Sequence, residues 1–226
     1  MLDDIIIRQA ASKNITIECI PFIQIKPVEA IELQQQINQL IYQSDYVIFT
    51  SANAVNAVAA QVTAKTPLNA FCISGKTRKA VEQHFAGSSI IADAATGAAL
   101  AEKIMKFVQS QNLVHAHFTF FCGNKRLNSI PDAFQKNNLL LTEVVVYETV
   151  LTPNAISKQY DGILFFSPSA VDGYFQMNRL DKNLTAFSFA GATYEALRTV
   201  SAEIIVSHTP SEQAMLNTVM DYYKQY

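Results

Sequence analysis

Where the apolar runs of this chain end, hydroxyl side chains and glycines take over: Thr50, Ser51, Ser74, Gly75, Thr77, Thr96, Gly97, Gly123, Asn124, Ser167, Ser169, Gly191, Thr193, Thr209 and Ser211. These residue types cap helices, and a capped helix start presents free backbone N–H groups that favour anions. Taken one at a time, each is a cap before it is a ligand. Taken together, they describe a site that accepts many anionic oxygens through N–H and hydroxyl donors without needing many arginines. The segment CGNKRLNSIP, Cys122 to Pro131, adds Lys125 and Arg126 just after an apolar run. There a strand-to-helix loop aims one of them at the ligand, or both belong to a solvated helix face.

Other site chemistries lack their residues. The chain has no G-x-x-x-x-G-K-[ST], no G-x-G-x-x-G and no G-x-S-x-G, which excludes a P-loop, a Rossmann fingerprint and a nucleophile elbow. Cys19, Cys72 and Cys122 are widely separated and flanked by strand formers, so they read as buried reduced thiols. His115 and His117 alternate without a carboxylate or cysteine at ligand spacing, and no metal site is expected. With 17 basic and 19 acidic side chains, a net charge of -2 and no Lys/Arg run, nucleic acid is not an expected partner. No apolar stretch approaches the ~20 residues of a membrane span and the N-terminus lacks a secretory pattern, so the expected location is the cytoplasm.

The elements that must position these residues alternate. Near-continuous runs of Val, Ile, Phe and Ala at 15–20, 46–50, 70–74, 89–92, 117–122, 162–166, 186–190 and 204–207 predict strands covered on both faces. Helical patterns at 52–61, 77–84, 97–109 and 193–200 lie between them, and Asp3 to Lys13 reads as a further helix. The result is an α/β fold with parallel sheets. Pro168 falls at N1 behind an N-cap at Ser167, and TPSE at Thr209 to Glu212 predicts a capping box with Pro210 at N1. Pro21 to Val28 and Glu143 to Thr152 break the rhythm; extended, β-branched and close to proline, they predict an exposed two-stranded linker whose strands pair with each other.

The chain also repeats itself. Ser51 and Ser167, Gly75 and Gly191, and Thr77 and Thr193 are each 116 residues apart (167 − 51, 191 − 75 and 193 − 77). YVIFTSANAVNAV matches GILFFSPSAVDGYF, FCISGKTRKAVE matches FSFAGATYEALR and, with a slip of one, TGAALAEKI matches SEQAMLNTV. Three βα units in the same order predict two similar lobes, each flavodoxin-like in size.

FTSANAV, SGKTRKAV, FFCGNKRLNSIPDAF, VVYETV, FFSPSAVDGYF and AGATYEAL, in this order and over nearly the whole chain, resemble uroporphyrinogen-III synthase. The resemblance implies two α/β lobes joined by a two-stranded β ladder that the chain crosses twice. Residues 1–22 and 151–226 then form lobe 1, residues 28–145 form lobe 2, and 21–28 and 143–152 are the linker strands. Compared with the family, the first βα unit is missing or shortened.

The implied reaction converts linear hydroxymethylbilane, a polycarboxylate, to uroporphyrinogen III. The terminal hydroxyl leaves, ring D inverts through a spiro intermediate and the macrocycle closes, without a cofactor and in a monomer. The resemblance marks Tyr147 of VVYETV as the acid near the leaving hydroxyl. It marks Ser51, Gly75, Thr77, Gly123, Ser167, Ser169, Ala192 and Thr193 as substrate-binding, mostly through backbone N–H groups. Tyr194 stands where the family often has a second small hydroxyl residue. Two rival readings are a non-catalytic two-lobed anion-binding or regulatory module and a flavodoxin-like flavoprotein.

Overall fold

The computed structural model describes residues 2–64, 66–180, 184–200 and 203–224. The chain divides into two compact units, one formed by Met1–Gln24 with Val150–Tyr226 and the other by Ile25–Thr149.

The 25–149 unit is built on a six-stranded sheet. In chain order its elements are β1 (Ile23–Pro27), α2 (Ile31–Gln43), β2 (Tyr46–Phe49), α3 (Ala52–Gln61), β3 (Asn69–Ile73), α4 (Lys76–His84), β4 (Ser89–Ala94), α5 (Gly97–Gln111), β5 (Phe118–Gly123), α6 (Ser129–Lys136) and β6 (Leu141–Leu151), preceded in the chain by α1 (Asp4–Ala11) of the other unit. The strand order is β1-β6-β5-β2-β3-β4. The pairs β6/β5, β5/β2, β2/β3 and β3/β4 are all parallel. Parallel strands need crossover helices, and here these cover both faces. Ile37, Ile41, Val55, Val58, Val81 and Phe85 pack with Phe49, Phe121, Val144 and Val146 on one face. Leu100, Ile104, Val108, Ile130 and Phe134 pack with Ile48, Phe71 and Phe120 on the other. This two-sided burial is why the strands read as unbroken apolar runs; every residue of β5 is buried.

The second unit holds a three-stranded parallel sheet, β7 (Gly162–Phe165), β8 (Thr185–Phe189) and β9 (Ile204–Ser207), with α7 (Pro168–Phe175), α8 (Ala192–Arg198) and α9 (Glu212–Tyr223). Phe22, Phe165, Val171, Tyr174 and Leu197 pack together on α7 and α8. Ile6 and Ala10 of α1 pack on Leu216 of α9. The 116-residue offset recurs in the backbone: β3 and β8 begin at Asn69 and Thr185, α3 and α7 at Ala52 and Pro168, and α4 and α8 at Lys76 and Ala192. Even the unusual glycines correspond, with φ/ψ of 77/-123 at Gly75 and 80/-135 at Gly191. A positive φ at a helix start strains any L side chain, so both copies keep glycine.

Several expectations are corrected. The run 15–20 is not a strand. Its isoleucines serve packing, with Ile15 and Ile17 against the Ile6, Ala10 and Leu216 group and Ile20 against Phe22 and its neighbours. Cys19, in that run, is exposed rather than buried, whereas Cys72 and Cys122 are buried and burial raises their thiols to about 11. The helix cap near the C-terminus is Ser211, whose Oγ accepts the Ala214 N–H at 3.2 Å, and not Thr209. Thr209 instead closes a turn, its carbonyl accepting the Ser211 N–H at 2.8 Å.

The stretch 143–152 is not exposed ribbon along its length. Leu141 to Tyr147 pairs with β5 inside the sheet, with Val144 and Val146 buried. Val144 and Val146 alternate into a core, which the β-branched run alone does not distinguish from a solvated strand. The two extended segments do meet each other: the Val28 N–H donates to the Val146 carbonyl at 3.1 Å and the Thr152 N–H to the Phe22 carbonyl at 2.9 Å.

One buried side chain ties down the segment that follows β6. Asn178, 8% exposed, accepts the Ile156 N–H at 2.8 Å through Oδ1 and donates through Nδ2 to the carbonyls of Asn154 at 2.7 Å and Tyr174 at 2.9 Å. Asn178→Asp keeps the shape but turns an acceptor toward two carbonyls, so it is expected to cost about 2–4 kcal/mol. A urea midpoint within error of the parent protein would contradict this account of the segment.

Candidate active site

Because β2, β3, β4 and β5 run parallel, their carboxyl ends lie at one edge of the six-stranded sheet, and the helices α3, α4 and α5 start there. Ser51 caps α3, its Oγ accepting the Asn53 N–H at 3.1 Å, and Thr96 caps α5, accepting the Ala99 N–H at 3.2 Å. Gly75 at the start of α4 offers no side-chain cap. Thr77 is only 5% exposed, so the hydroxyl is turned into the protein and backbone donors are what this helix start presents. Beside it, Asp93 accepts from the Ser74 hydroxyl at 2.5 Å and from Arg78 at 3.0 Å, while Arg78 also holds Glu82 at 2.8 Å. The Ser74 hydroxyl, with help from Arg78, holds the Asp93 carboxyl below the usual range.

Tyr147 reaches this edge from β6, two strands away from β2. Neighbouring strands are ~4.8 Å apart, so a side chain from β6 gets to the end of β2 only by lying across β5. It does so over Gly123. A Cβ built on Gly123 would lie 2.4 Å from Cζ and 2.8 Å from the hydroxyl of Tyr147. The phenol is thereby brought near the Ser51 side chain. Burial raises the pKa of Tyr147 above its ordinary 10.0, and the Ser51 contact opposes that shift. The group is a protonated donor throughout the neutral range. A cavity of about 170 Å³ opens beside the ring, lined by Ile25, Pro27, Asn53, Asn56, Ala57, Ala60 and Tyr147. That is smaller than the ~300–1,000 Å³ of a typical small-molecule pocket.

The GNKR loop after β5 is fastened to β6. Arg126 pairs with Glu143 at 2.5 Å and donates to Asn128 at 2.6 Å, so this cation is engaged within the protein. Asn124 bonds β6 on either side of Glu148, at Tyr147 and Thr149.

In the other unit the same edge recurs at the ends of β7 and β8. Ser167 caps α7, accepting the Ala170 N–H at 3.2 Å, with Pro168 at the first helical position. Ser169 is half-buried on the first turn of that helix. Ala192 is exposed at the start of α8, and Thr193 is 6% exposed with its side chain inward, as at Thr77.

Of the residues singled out from sequence, the structure lays Tyr147 over Gly123 with Ser51 near the phenol within the 25–149 unit, and sets Gly75 and Thr77 at the end of the neighbouring strand. Ser167, Ser169, Ala192 and Thr193 occupy the corresponding positions of the second unit. The Ser74–Asp93–Arg78 group and the attachment of Asn124 to β6 were not found by sequence reasoning. Both join segments distant in the sequence, and no local pattern signals them.

The family model described as uroporphyrinogen-III synthase HemD matches residues 6–217. No curated protein sequence matches the chain. Among solved structures, a mutant uroporphyrinogen III synthase from the extremely thermophilic bacterium Thermus thermophilus is similar with a TM-score of 0.67 at 14% identity, over 99% of this chain and 95% of that one. The uroporphyrinogen-III synthetase of Helicobacter pylori is similar with a TM-score of 0.67 at 16% identity, over 89% and 91% of the two chains. At such identities the likeness is one of fold. With the family model covering nearly its whole length, the chain belongs to the uroporphyrinogen-III synthase family.

Proposed function

We infer that the chain converts linear hydroxymethylbilane to uroporphyrinogen III, as a cyclising hydro-lyase of tetrapyrrole and heme biosynthesis that works as a cytoplasmic monomer without a cofactor. The observation that carries this reading is the family match over residues 6–217. The two units are read as the two flavodoxin-like lobes of that family, with 21–28 and 143–152 as the strands linking them. Each lobe offers helix starts to a polycarboxylate, at Ser51, Gly75 and Thr77 in one and at Ser167, Ser169, Ala192 and Thr193 in the other, and Gly123 adds a backbone donor.

Tyr147 is the acid of this reading. Its O–H proton passes to the terminal hydroxyl of the bilane, the C–O bond breaks, water leaves and a cationic azafulvene remains. Ring D then attacks through its substituted carbon to give a spiro intermediate; the original methylene bond between rings C and D breaks, leaving the cation on ring C, and the free carbon of ring D closes on it with ring D inverted. The proton lost on closure balances the one donated. A phenol with a pKa above 10 is a modest acid, so much of the acceleration comes from holding the bilane folded.

Hydroxymethylbilane generated in situ and incubated with the protein is expected to give uroporphyrinogen III; type I alone, the spontaneous product, would overturn the reading. Tyr147→Phe is expected to lower turnover about 10–100-fold, checked by initial rates in the same assay, and unchanged turnover removes the acid role. Gly123→Ala places a methyl where the phenol ring lies. Turnover is expected to fall toward that of Tyr147→Phe, at a stability cost of about 1–3 kcal/mol read from urea unfolding.

The pH dependence follows from the upward shift of Tyr147. The neutral phenol is the form favoured by the folded protein, so its contribution to stability and to acid catalysis is fully present below pH 10.0 and is lost only as pH rises beyond it. A pH–rate limb near neutrality that disappears in Tyr147→Phe would contradict this assignment.

A further inference from the structure

The direction of Tyr147 is not the one its strand dictates. Val144 and Val146 point into the core formed with Phe49 and Phe121, while Val145 is 43% exposed. Simple alternation sends Tyr147 after Val145, away from that core. Yet Tyr147 packs on the same core as Val144 and Val146. The cause lies in the pairing of β5 with β6: Cys122 faces Val145, but the next residue, Gly123, faces Tyr147, so Val146 is an extra residue. Such a bulge re-aims a side chain and interrupts the ladder at the same time.

Asn124 repairs that interruption. It lies one residue beyond the end of β5, exposed and outside either hydrophobic core. Its backbone N–H donates to the Tyr147 carbonyl at 3.2 Å, and its side-chain Oδ1 accepts the Thr149 N–H at 2.8 Å. The turn behind it is closed by the Arg126 N–H on the Gly123 carbonyl at 3.2 Å, and Arg126 holds Glu143 at the start of the same strand. Backbone on both sides of the tyrosine is thereby held after the regular pairing has ended.

We propose that Asn124 is the positioning residue of Tyr147: by accepting the Thr149 N–H, its side-chain carbonyl locks the register shift that lays the phenol across Gly123 toward Ser51. The consequence for turnover rests on the acid role given to Tyr147 above; the structural half does not.

Three readouts on the full chain test it, using Asn124→Ala and Asn124→Asp, the second of which retains an acceptor oxygen. In Asn124→Ala the Thr149 amide is expected to exchange its hydrogen at least about 10-fold faster. The tyrosinate absorbance assigned to Tyr147 by difference from Tyr147→Phe is expected to move toward the ordinary tyrosine range, because the ring leaves its buried position. Turnover is expected to fall about 10-fold or more while KM stays within about 2-fold, since a displacement near 1 Å has that effect on a positioned group. Asn124→Asp is expected to keep all three near the parent values.

An Asn124→Ala protein with faster Thr149 exchange but unchanged Tyr147 titration and turnover would overturn the proposal, leaving Asn124 a structural residue only. If Asn124→Ala does not fold, Asn124→Asp decides: a parent-like Tyr147 titration supports the proposal and an altered one overturns it. Should Tyr147→Phe turn over at the parent rate, the acid reading fails, and titration with amide exchange still decides whether Asn124 aims the ring.

Discussion

Strands that run parallel cannot be joined by tight turns, so each must hand the chain to a crossover that packs on one face of the sheet. In the 25–149 unit this single constraint places α3, α4 and α5 so that each begins where a strand has just ended. It also demands that both faces of β2 and β5 be apolar, which Phe49, Phe121, Ile48 and Phe120 supply in alternation. Hydroxyls and capped helix starts thereby gather at the sheet's carboxyl edge, while Thr119 inside β5 is buried only by pairing with the Ser44 hydroxyl. The hydroxyls and helix starts to which the proposed function assigns substrate binding stand at that edge. The same rule operates separately in the other unit, where Ser167, Gly191 and Ser211 stand at the starts of α7, α8 and α9.

An edge made of helix starts is good at holding carboxylates and poor at moving protons. Backbone N–H groups and capping hydroxyls do not titrate usefully, and two of the cations nearby, Arg78 and Arg126, are engaged by Glu82, Asp93 and Glu143. Under the proposed function, Tyr147 brings the acidic proton to this arrangement. It is delivered from a strand outside the group that ends at the edge, over a residue that has no side chain. Gly123 therefore contributes through what it lacks: any Cβ would occupy the space of the ring. Burial of the ring raises the pKa of the phenol, and the Ser51 side chain limits how weak an acid it becomes.

Much of the architecture was legible locally. The strands at 204–207 and the helix at 52–61 match β9 and α3 residue for residue, because continuous apolar runs and a serine cap are signals carried within a few neighbouring residues. Ser167 followed by Pro168 identified its helix start for the same reason. Errors fell where one local pattern serves two environments. An isoleucine-rich segment at 15–20 packs without joining a sheet, and the β-branched stretch 143–152 is sheet strand in its first half. Proline was a weaker guide at Pro210, which sits in the turn before the cap rather than inside the helix.

The sequence by itself determined the alternation of β and α, the repeat at 116 residues and the helix start at Ser167, all of which depend on side chains near one another in the chain. Tertiary structure alone decided that Tyr147 turns toward the core of Val144 and Val146, that it lies on Gly123 and that Asn124 holds the strand beside it. Those facts rest on the pairing of β5 with β6, where one extra residue reverses the face a side chain occupies. A register is a relation between two distant segments, and no periodicity within either of them records it.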